Sequence, residues 1–158
     1  MTLPVRAVGV VVITHGQLAT ELLNAVEMIV GDLPQFVAVS IGWHDDMRMA
    51  REAMQHAVRR VDGGAGVLLV TDMFGGTPAN LALSLLEAGK VEVLTGVNLP
   101  MLLKLTKTPA EQDLVALARV VCEDGRSAIR VASDLLRADR DATTKRDVRP
   151  AGDGSSAG

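Results

Sequence analysis

Apolar runs that suit buried strands alternate along this chain with segments whose apolar residues recur at helical spacing. Each strand-like run is rich in Val, Leu and Ile, and each helical segment follows it closely. This pattern predicts strands over residues 5–14, 36–41, 66–71 and 91–96, and helices over 17–30, 45–61 and 77–88. Four β–α units in succession indicate a doubly wound α/β fold, with a mainly parallel sheet and helices on both faces.

The last third of the chain predicts helices and then a polar tail. A short helix is expected within 98–106, and a longer helical stretch over 109–138 in which Gly125 is a point where the helix could bend. Residues 139–158 have almost no large apolar side chains, which is typical of disorder. We therefore expect one domain over 1–138 and a disordered tail over 139–158.

Polar residues at the predicted helix starts suggest how two of the helices begin. Asp45 is a candidate N-cap for the second helix. Thr77 is a candidate N-cap for the third, because Pro78 then takes the first helical position, where a missing N–H costs nothing.

Composition excludes several classes of protein. Apolar residues make up 48% of the chain, which supports a packed core, and the net charge of −3 comes without a cluster of basic residues that would bind nucleic acid. A single cysteine, Cys122, rules out an internal disulfide and multi-cysteine metal patterns. No apolar run is long enough to span a bilayer, and the first residues lack the apolar core of a signal peptide, so we expect a cytoplasmic protein.

Distinctive residues cluster just past three of the predicted strand ends. Thr14, His15 and Gly16 follow the first strand, the stretch TDMFGGTPAN (71–80) follows the third, and TGVNLPM (95–101) follows the fourth. Sheets of this class bind ligands at the carboxyl ends of the strands, where the strand order reverses. With a strand order of 2-1-3-4, His15 and Asp72 would face each other across one crevice.

The two residues are chemically complementary. An imidazole is nucleophilic only when neutral, which a histidine can be near pH 7. A carboxylate that accepts a hydrogen bond from one ring nitrogen fixes the tautomer, leaves the other nitrogen free to attack, and favours the cation that forms when the ring carries a group. The glycines lie ahead of helix N-termini, which bind anions through free N–H groups, and the Thr77 hydroxyl could cap its helix or donate to a phosphoryl oxygen. Together these features suggest phosphoryl transfer through a phosphohistidine.

Plainer interpretations exist for each residue taken alone. Asp72 could cap a turn, and the stretch GGTP could stop a strand and start a helix. His44 is best explained as part of a turn and helix cap, and His56 as an ordinary residue in the middle of a helix. The agreement among the three clusters favours the chemical interpretation.

Three stretches, in this order, resemble the enzyme IIA component of the mannose-type sugar phosphotransferase system: VVITHGQLATELLNAVEMIVG, GVLLVTDMFGGTPANLAL and VEVLTGVNLPMLLKL. The resemblance implies a flavodoxin-like fold in which His15 accepts a phosphoryl group from the carrier HPr and passes it to an enzyme IIB partner. It also implies that Asp72 orients the imidazole and that Thr77 contacts the phosphoryl group. The residues we expect around that group are Thr14, Gly16, Phe74, Gly75, Gly76 and Asn98.

The resemblance further implies a homodimer, and association with a membrane permease complex in some members. The scheme needs no metal and no cofactor. Because the stretch after the resemblance is too short for a IIB domain, we expect a stand-alone form, for which regulatory use of the phosphoryl group is an alternative to transport.

Other functions fit the same residues. The phosphotransfer subunit of a dihydroxyacetone kinase shares the fold and the active histidine, and would pass its phosphoryl group to a nucleotide-loaded kinase subunit instead of a IIB protein. A non-catalytic flavin- or nucleotide-binding module would use the same crevice, although the chain has neither a P-loop nor a GxGxxG motif.

Overall fold

The computed structural model describes residues 7–108 and 112–147. Strands and helices alternate through most of this part of the chain. They are β1 Gly9–His15, α1 Leu18–Val30, β2 Phe36–Ile41, α2 Met47–Val61, β3 Val67–Thr71, α3 Gly76–Leu83, β4 Val91–Thr95, α4 Leu99–Leu105, α5 Leu114–Ser127 and α6 Ala132–Asp147. No helix among these described residues is long and apolar enough to cross a membrane.

The four strands form one parallel sheet in the order β2-β1-β3-β4. This confirms the predicted strand order and the doubly wound α/β class. The central strands β1 and β3 are buried along their whole length except at His15. Their register pairs Ile13 with Thr71, so both strands end at the same edge of the sheet.

Helices cover both faces of the sheet, as predicted. Successive side chains of a strand point to opposite faces, and the buried residues of β1 and β3 accordingly divide into two apolar clusters. One cluster includes Val10 and Val12 and packs against residues of α1, α4 and α5. The other includes Val11 and Ile13 and packs against residues of α2 and α3. The apolar clusters on the two faces hold β1 and β3 in place, and so position the residues at the carboxyl ends of these strands.

Both predicted N-caps are wrong by one or two positions. Asp46, rather than Asp45, caps α2, since its Oδ1 accepts a hydrogen bond from the Arg48 N–H at 2.8 Å. The Asp45 carboxylate instead accepts from the Gly42 N–H at 2.6 Å.

The third helix also differs from the prediction at both ends. It begins at Gly76 with Gly75 as its N-cap, so Thr77 lies inside the first turn instead of capping it. Gly75 has a φ of 84° and Gly76 one of 80°, a left-handed conformation that glycine adopts readily and that turns the chain into the helix here. The helix ends at Leu83, before the predicted limit at residue 88.

The long helical stretch predicted over 109–138 is two helices, α5 and α6, separated by residues 128–131. Its predicted start at Pro109 falls outside the described residues. Gly125 lies inside α5 and does not mark the break. A Cβ atom at Gly125 would come within 2.5 Å of Met101 Cγ, so this glycine serves the close packing of α5 against α4.

The chain divides into two compact units, Met1–Arg126 and Ser127–Gly158. In the second unit, Arg130 Nε donates a hydrogen bond to the Ser127 carbonyl at 2.6 Å, just before α6. The predicted limit between residues 138 and 139 falls within α6, so residues 139–147 are helical where a disordered tail was expected. Residues 148–158 lie outside the described part, and the domain limits remain a prediction.

Candidate active site

His15 and Asp72 meet at the carboxyl edge of the sheet, as predicted. His15 is the last residue of β1, and Asp72 directly follows the neighbouring strand β3. The ring Nδ1 of His15 lies 2.8 Å from Asp72 Oδ2, and the same oxygen accepts a hydrogen bond from the His15 backbone N–H at 3.1 Å. The His15 side chain is 50% exposed, whereas that of Asp72 is 14% exposed. The imidazole of His15 is therefore accessible to solvent, while its Nδ1 is fixed by the less exposed Asp72 carboxylate.

The surroundings of Asp72 keep its carboxyl group ionised. Burial raises the pKa of Asp72, but the hydrogen bonds from the ring and backbone of His15, the charge interaction with the ring and a hydrogen bond within Asp72 itself outweigh burial, so this pKa lies below its ordinary value of 3.8. An ionised carboxylate can only accept hydrogen bonds, so His15 Nδ1 must carry the hydrogen in the 2.8 Å contact. In the neutral ring, the lone pair is consequently on Nε2.

The N-terminus of α3 lies against the His15 ring. A Cβ atom built on Gly76 would come within 3.2 Å of both Nε2 and Cε1 of His15, so only glycine lets the backbone approach the ring without crowding. No side chain caps this helix end. The first N–H groups of a helix have no partner within the helix, and they attract anions together with the helix dipole. Gly76 therefore brings an anion-attracting helix end to the accessible nitrogen of His15.

Thr77 is half-buried and lines the same cleft as His15. Within the described residues, its hydroxyl makes no hydrogen bond, although it lies in the first turn of α3. The structure thus brings together His15, Asp72, Gly76 and Thr77, four of the nine residues that the sequence analysis expects at the phosphoryl group.

Thr14 and Gly16 have structural contacts at the corner after β1. Thr14 is fully buried, and its Oγ1 accepts a hydrogen bond from the Ala19 N–H at 2.7 Å, in the first turn of α1. Gly16 lines the cleft with a φ of 55°, and its N–H donates to the Ile41 carbonyl at 2.9 Å. The Thr14 hydroxyl is therefore buried and accepts a backbone hydrogen bond, the Gly16 N–H already has a partner, and both residues fix the turn that carries His15.

The structure also gives Asn98 a structural role. Its Oδ1 accepts a hydrogen bond from the Met101 N–H at 3.1 Å and so caps α4, while its Nδ2 donates to the Gly125 carbonyl at 3.0 Å. Asn98 is not among the residues that line the cleft beside His15. Both polar ends of the side chain are therefore used in joining the end of β4 to α4 and α5.

The loop between β2 and α2 forms a further wall of the site that the sequence prediction missed. The cleft has a volume of about 370 Å³, and it is lined by His15, Gly16, Ile41, Gly42, Trp43, Asp45, Met47, Gly76 and Thr77. The stretch GWHDD (42–46) looked like a turn and a helix cap. The predicted strand order could have indicated this wall of the site. Because β2 is next to β1 and ends at the same edge of the sheet, the loop after β2 lies beside His15.

The cleft carries little positive charge. Among its lining residues there is no lysine or arginine, and Asp45 adds a carboxylate to that of Asp72 nearby. In the described part of the chain, no group of three or more His, Cys, Asp or Glu side chains is arranged to hold a metal ion. The described geometry places an oriented imidazole beside a helix N-terminus.

Comparison with protein families connects this geometry to known proteins. The EIIA-man family model, described as the fructose IIA component of the PTS system, matches residues 9–121. The chain belongs to the EIIA-man family. All the cleft residues of this EIIA-man chain fall within the matched range, whereas α6 lies beyond it.

Individual relatives agree with the family. The mannose-specific EIIAB component of Escherichia coli strain K12 is 31% identical over 133 residues, which cover 78% of this chain but only 39% of that longer protein. The fructose-specific EIIA component of Bacillus subtilis strain 168 is 27% identical over 130 residues, covering 82% of this chain and 89% of that one. The solved mannose/sorbose-specific IIA subunit from Enterococcus faecalis superposes with a TM-score of 0.70 at 26% identity, covering 78% of this chain and 93% of that one.

Proposed function

We propose that this EIIA-man chain is a phosphocarrier that takes a phosphoryl group from HPr onto Nε2 of His15. It then passes the group to an enzyme IIB partner or holds it as a regulatory signal. The observation that carries the proposal is the 2.8 Å contact between His15 Nδ1 and Asp72 Oδ2, which leaves Nε2 as the accessible nitrogen. Membership of the EIIA-man family supports the same chemistry.

The transfer needs only one bond to form and one to break. The lone pair on Nε2 attacks the phosphorus of the donor's phosphohistidine, and the donor's P–N bond breaks with its electron pair left on the donor nitrogen. When the donor ring is protonated on its other nitrogen, it leaves as neutral imidazole. The His15 ring keeps its Nδ1 hydrogen and becomes cationic, directly opposite the Asp72 carboxylate. Asp72 thereby stabilises the product as well as orienting the nucleophile.

The start of α3 receives the phosphoryl oxygens. The N–H groups of Gly76 and Thr77 begin the helix, and the unbonded Thr77 hydroxyl adds a third donor beside the ring. Preorganised donors of this kind lower the barrier because they stabilise charge without having to reorganise. Holding the donor and acceptor nitrogens in line with the phosphorus supplies much of the remaining reduction of the barrier.

Membership of the EIIA-man family supports the proposed phosphotransfer partners. HPr is the proposed donor and enzyme IIB the proposed acceptor, and we propose that the protein is a homodimer that acts with a membrane permease complex where it serves transport. Relatives named for the mannose, fructose and sorbose systems support a place in sugar phosphotransfer. The family match to PTS IIA components favours enzyme IIB over the nucleotide-loaded subunit of a dihydroxyacetone kinase as the acceptor.

The test is phosphorylation of the purified chain by phosphoenolpyruvate, enzyme I and HPr. We expect one acid-labile, base-stable phosphate per chain, seen by intact-mass spectrometry, with the ³¹P resonance of an Nε2-linked phosphohistidine. His15→Ala should abolish the label. The chain has three histidines, so His44→Ala and His56→Ala are matched controls that should keep it. A label that survives in His15→Ala would overturn the proposal, whatever the two controls show.

A further inference from the structure

Four large apolar side chains are exposed around the His15 cleft. Trp43 is 99% exposed and Phe74 76%, and Met47 and Met73 are each more than half exposed. Clusters of exposed apolar side chains are rare on soluble surfaces without a binding role, because they gain free energy when they are covered. We call these four residues the apolar rim.

The apolar rim lies on two loops that flank the nucleophile. Trp43 and Met47 line the cleft itself, on the loop after β2 and at the start of α2. Met73 and Phe74 lie between Asp72, which contacts the His15 ring, and Gly76, whose backbone lies against that ring. Both loops therefore belong to the surface that surrounds the accessible nitrogen of His15.

The charges of the cleft argue against a small anionic phosphoryl donor. No lysine or arginine is among the lining residues, Asp45 lines the cleft, and the Asp72 carboxylate contacts the His15 ring. A free phosphorylated anion would meet repulsion from these carboxylates, and the start of α3 would be its main attraction. A donor that carries its phosphoryl group on a protein surface can bring its own cations and can gain binding energy elsewhere.

We infer that the apolar rim is the docking surface for a phosphohistidine carrier protein, with Trp43 as its anchor. This inference rests on the proposed function and identifies the surface that selects the donor. The partner that fits has apolar side chains around its phosphohistidine and basic side chains that complement Asp45 and Asp46. Tryptophan is the residue type most often found as an anchor of protein interfaces, and the almost complete exposure of Trp43 makes its whole surface available for burial.

The experiment compares a protein donor with a small one on the full-length chain. Trp43→Ala, Trp43→Phe and the control Met28→Ala are phosphorylated by phospho-HPr and, separately, by phosphoramidate. Met28 is 89% exposed on α1, away from the cleft, so Met28→Ala removes an exposed apolar side chain without touching the rim. We expect Trp43→Ala to lower kcat/KM with phospho-HPr by about tenfold or more, as the loss of an interface anchor does. The loss with phosphoramidate should be far smaller, Trp43→Phe should recover most of the rate, and Met28→Ala should behave as the wild type.

The outcomes separate this inference from the proposed function. If neither donor phosphorylates the wild-type chain, the proposed function itself fails. If phosphorylation occurs but Trp43→Ala slows both donors equally, or slows neither, the docking surface is disproved. If Trp43→Ala changes the sedimentation coefficient and leaves transfer intact, the rim binds a second copy of the chain, and the inference is likewise overturned. Trp43 is the single tryptophan, so a change in its fluorescence on titration with HPr gives an independent measure of docking.

Discussion

One carboxylate oxygen of Asp72 holds His15 at two points, through the backbone N–H at 3.1 Å and the ring Nδ1 at 2.8 Å. The other oxygen accepts from the Met73 N–H at 3.1 Å, so the carboxylate is itself fixed by the turn after β3. The backbone and the ring of His15 are therefore positioned together. This relationship makes Asp72 the most informative residue to substitute after His15.

Asp72→Asn should slow phosphorylation of His15 by roughly a hundredfold, within the range for losing one group in acid–base or orienting catalysis. The amide keeps the shape of the side chain but removes the negative charge opposite the ring, and its NH₂ group can support the wrong tautomer. Single-turnover transfer from phospho-HPr measures the rate, and circular dichroism confirms that the fold is kept. A rate within twofold of the wild type would show that Asp72 has no orienting role.

The contact between Asp72 and His15 also predicts a pH dependence of stability. Because the folded-state pKa of Asp72 is lowered from 3.8, its contribution to the free energy of unfolding is present above that pH and is lost as the pH falls through the lower folded value. The difference in unfolding free energy between wild type and Asp72→Asn should therefore shrink when urea denaturation is repeated at decreasing pH below about 4.

The control is the same comparison in a His15→Ala background. The ring hydrogen bond is then absent, while the backbone N–H groups of residue 15 and Met73 still donate to Asp72, so the pH-dependent part of the difference in unfolding free energy should be smaller. An equal pH dependence with and without the ring would contradict the assigned cause.

Gly76→Ala should impair phosphotransfer more than it impairs folding. The added Cβ would lie 3.2 Å from His15 Nε2, where the phosphoryl group must bind, and the φ of 80° adds backbone strain of roughly 1–2 kcal/mol. Gly64→Ala is a matched control, because Gly64 has a φ of 91° but a Cβ there meets nothing within 4 Å. Thermal unfolding should show a similar loss for both variants, while transfer from phospho-HPr should fall only in Gly76→Ala. Equal transfer rates would show that Gly76 does not shape the phosphoryl site.

The overall fold was predictable because it follows from the spacing of apolar residues. The buried strands β1 and β3 are continuous apolar runs, and their parallel pairing places His15 and Asp72 at one edge. Once the strand order was inferred, the contact between these two residues followed from topology alone. The break between α5 and α6 was not predictable in this way, since residues 128–131 include neither Gly nor Pro.

The roles of the smaller polar residues were not predictable, because they depend on which backbone groups lack a partner in the folded chain. Thr14 binds the Ala19 N–H, and Asn98 binds the Met101 N–H and the Gly125 carbonyl. These partners are set by the geometry of turns, on which apolar spacing carries no information. Trp43 was missed for a different reason: an exposed side chain makes no contribution to the pattern that defines strands and helices.

Thr14 and Thr77 were both expected near the phosphoryl group, but their substitutions should have different effects. Thr14→Val removes the hydroxyl that accepts from the Ala19 N–H and leaves that donor buried, so the free energy of unfolding should fall by about 1 kcal/mol. Thr77→Val removes a hydroxyl that has no hydrogen bond within the described residues, so it should cost little stability. It should, however, slow transfer onto His15 by about a hundredfold, as the loss of one preorganised donor to a reacting oxygen does. Urea denaturation and single-turnover transfer, measured on both variants, test the contrast. If Thr77→Val destabilises the fold and transfers normally, the hydroxyl caps its helix and Thr77 has no part in binding the phosphoryl group.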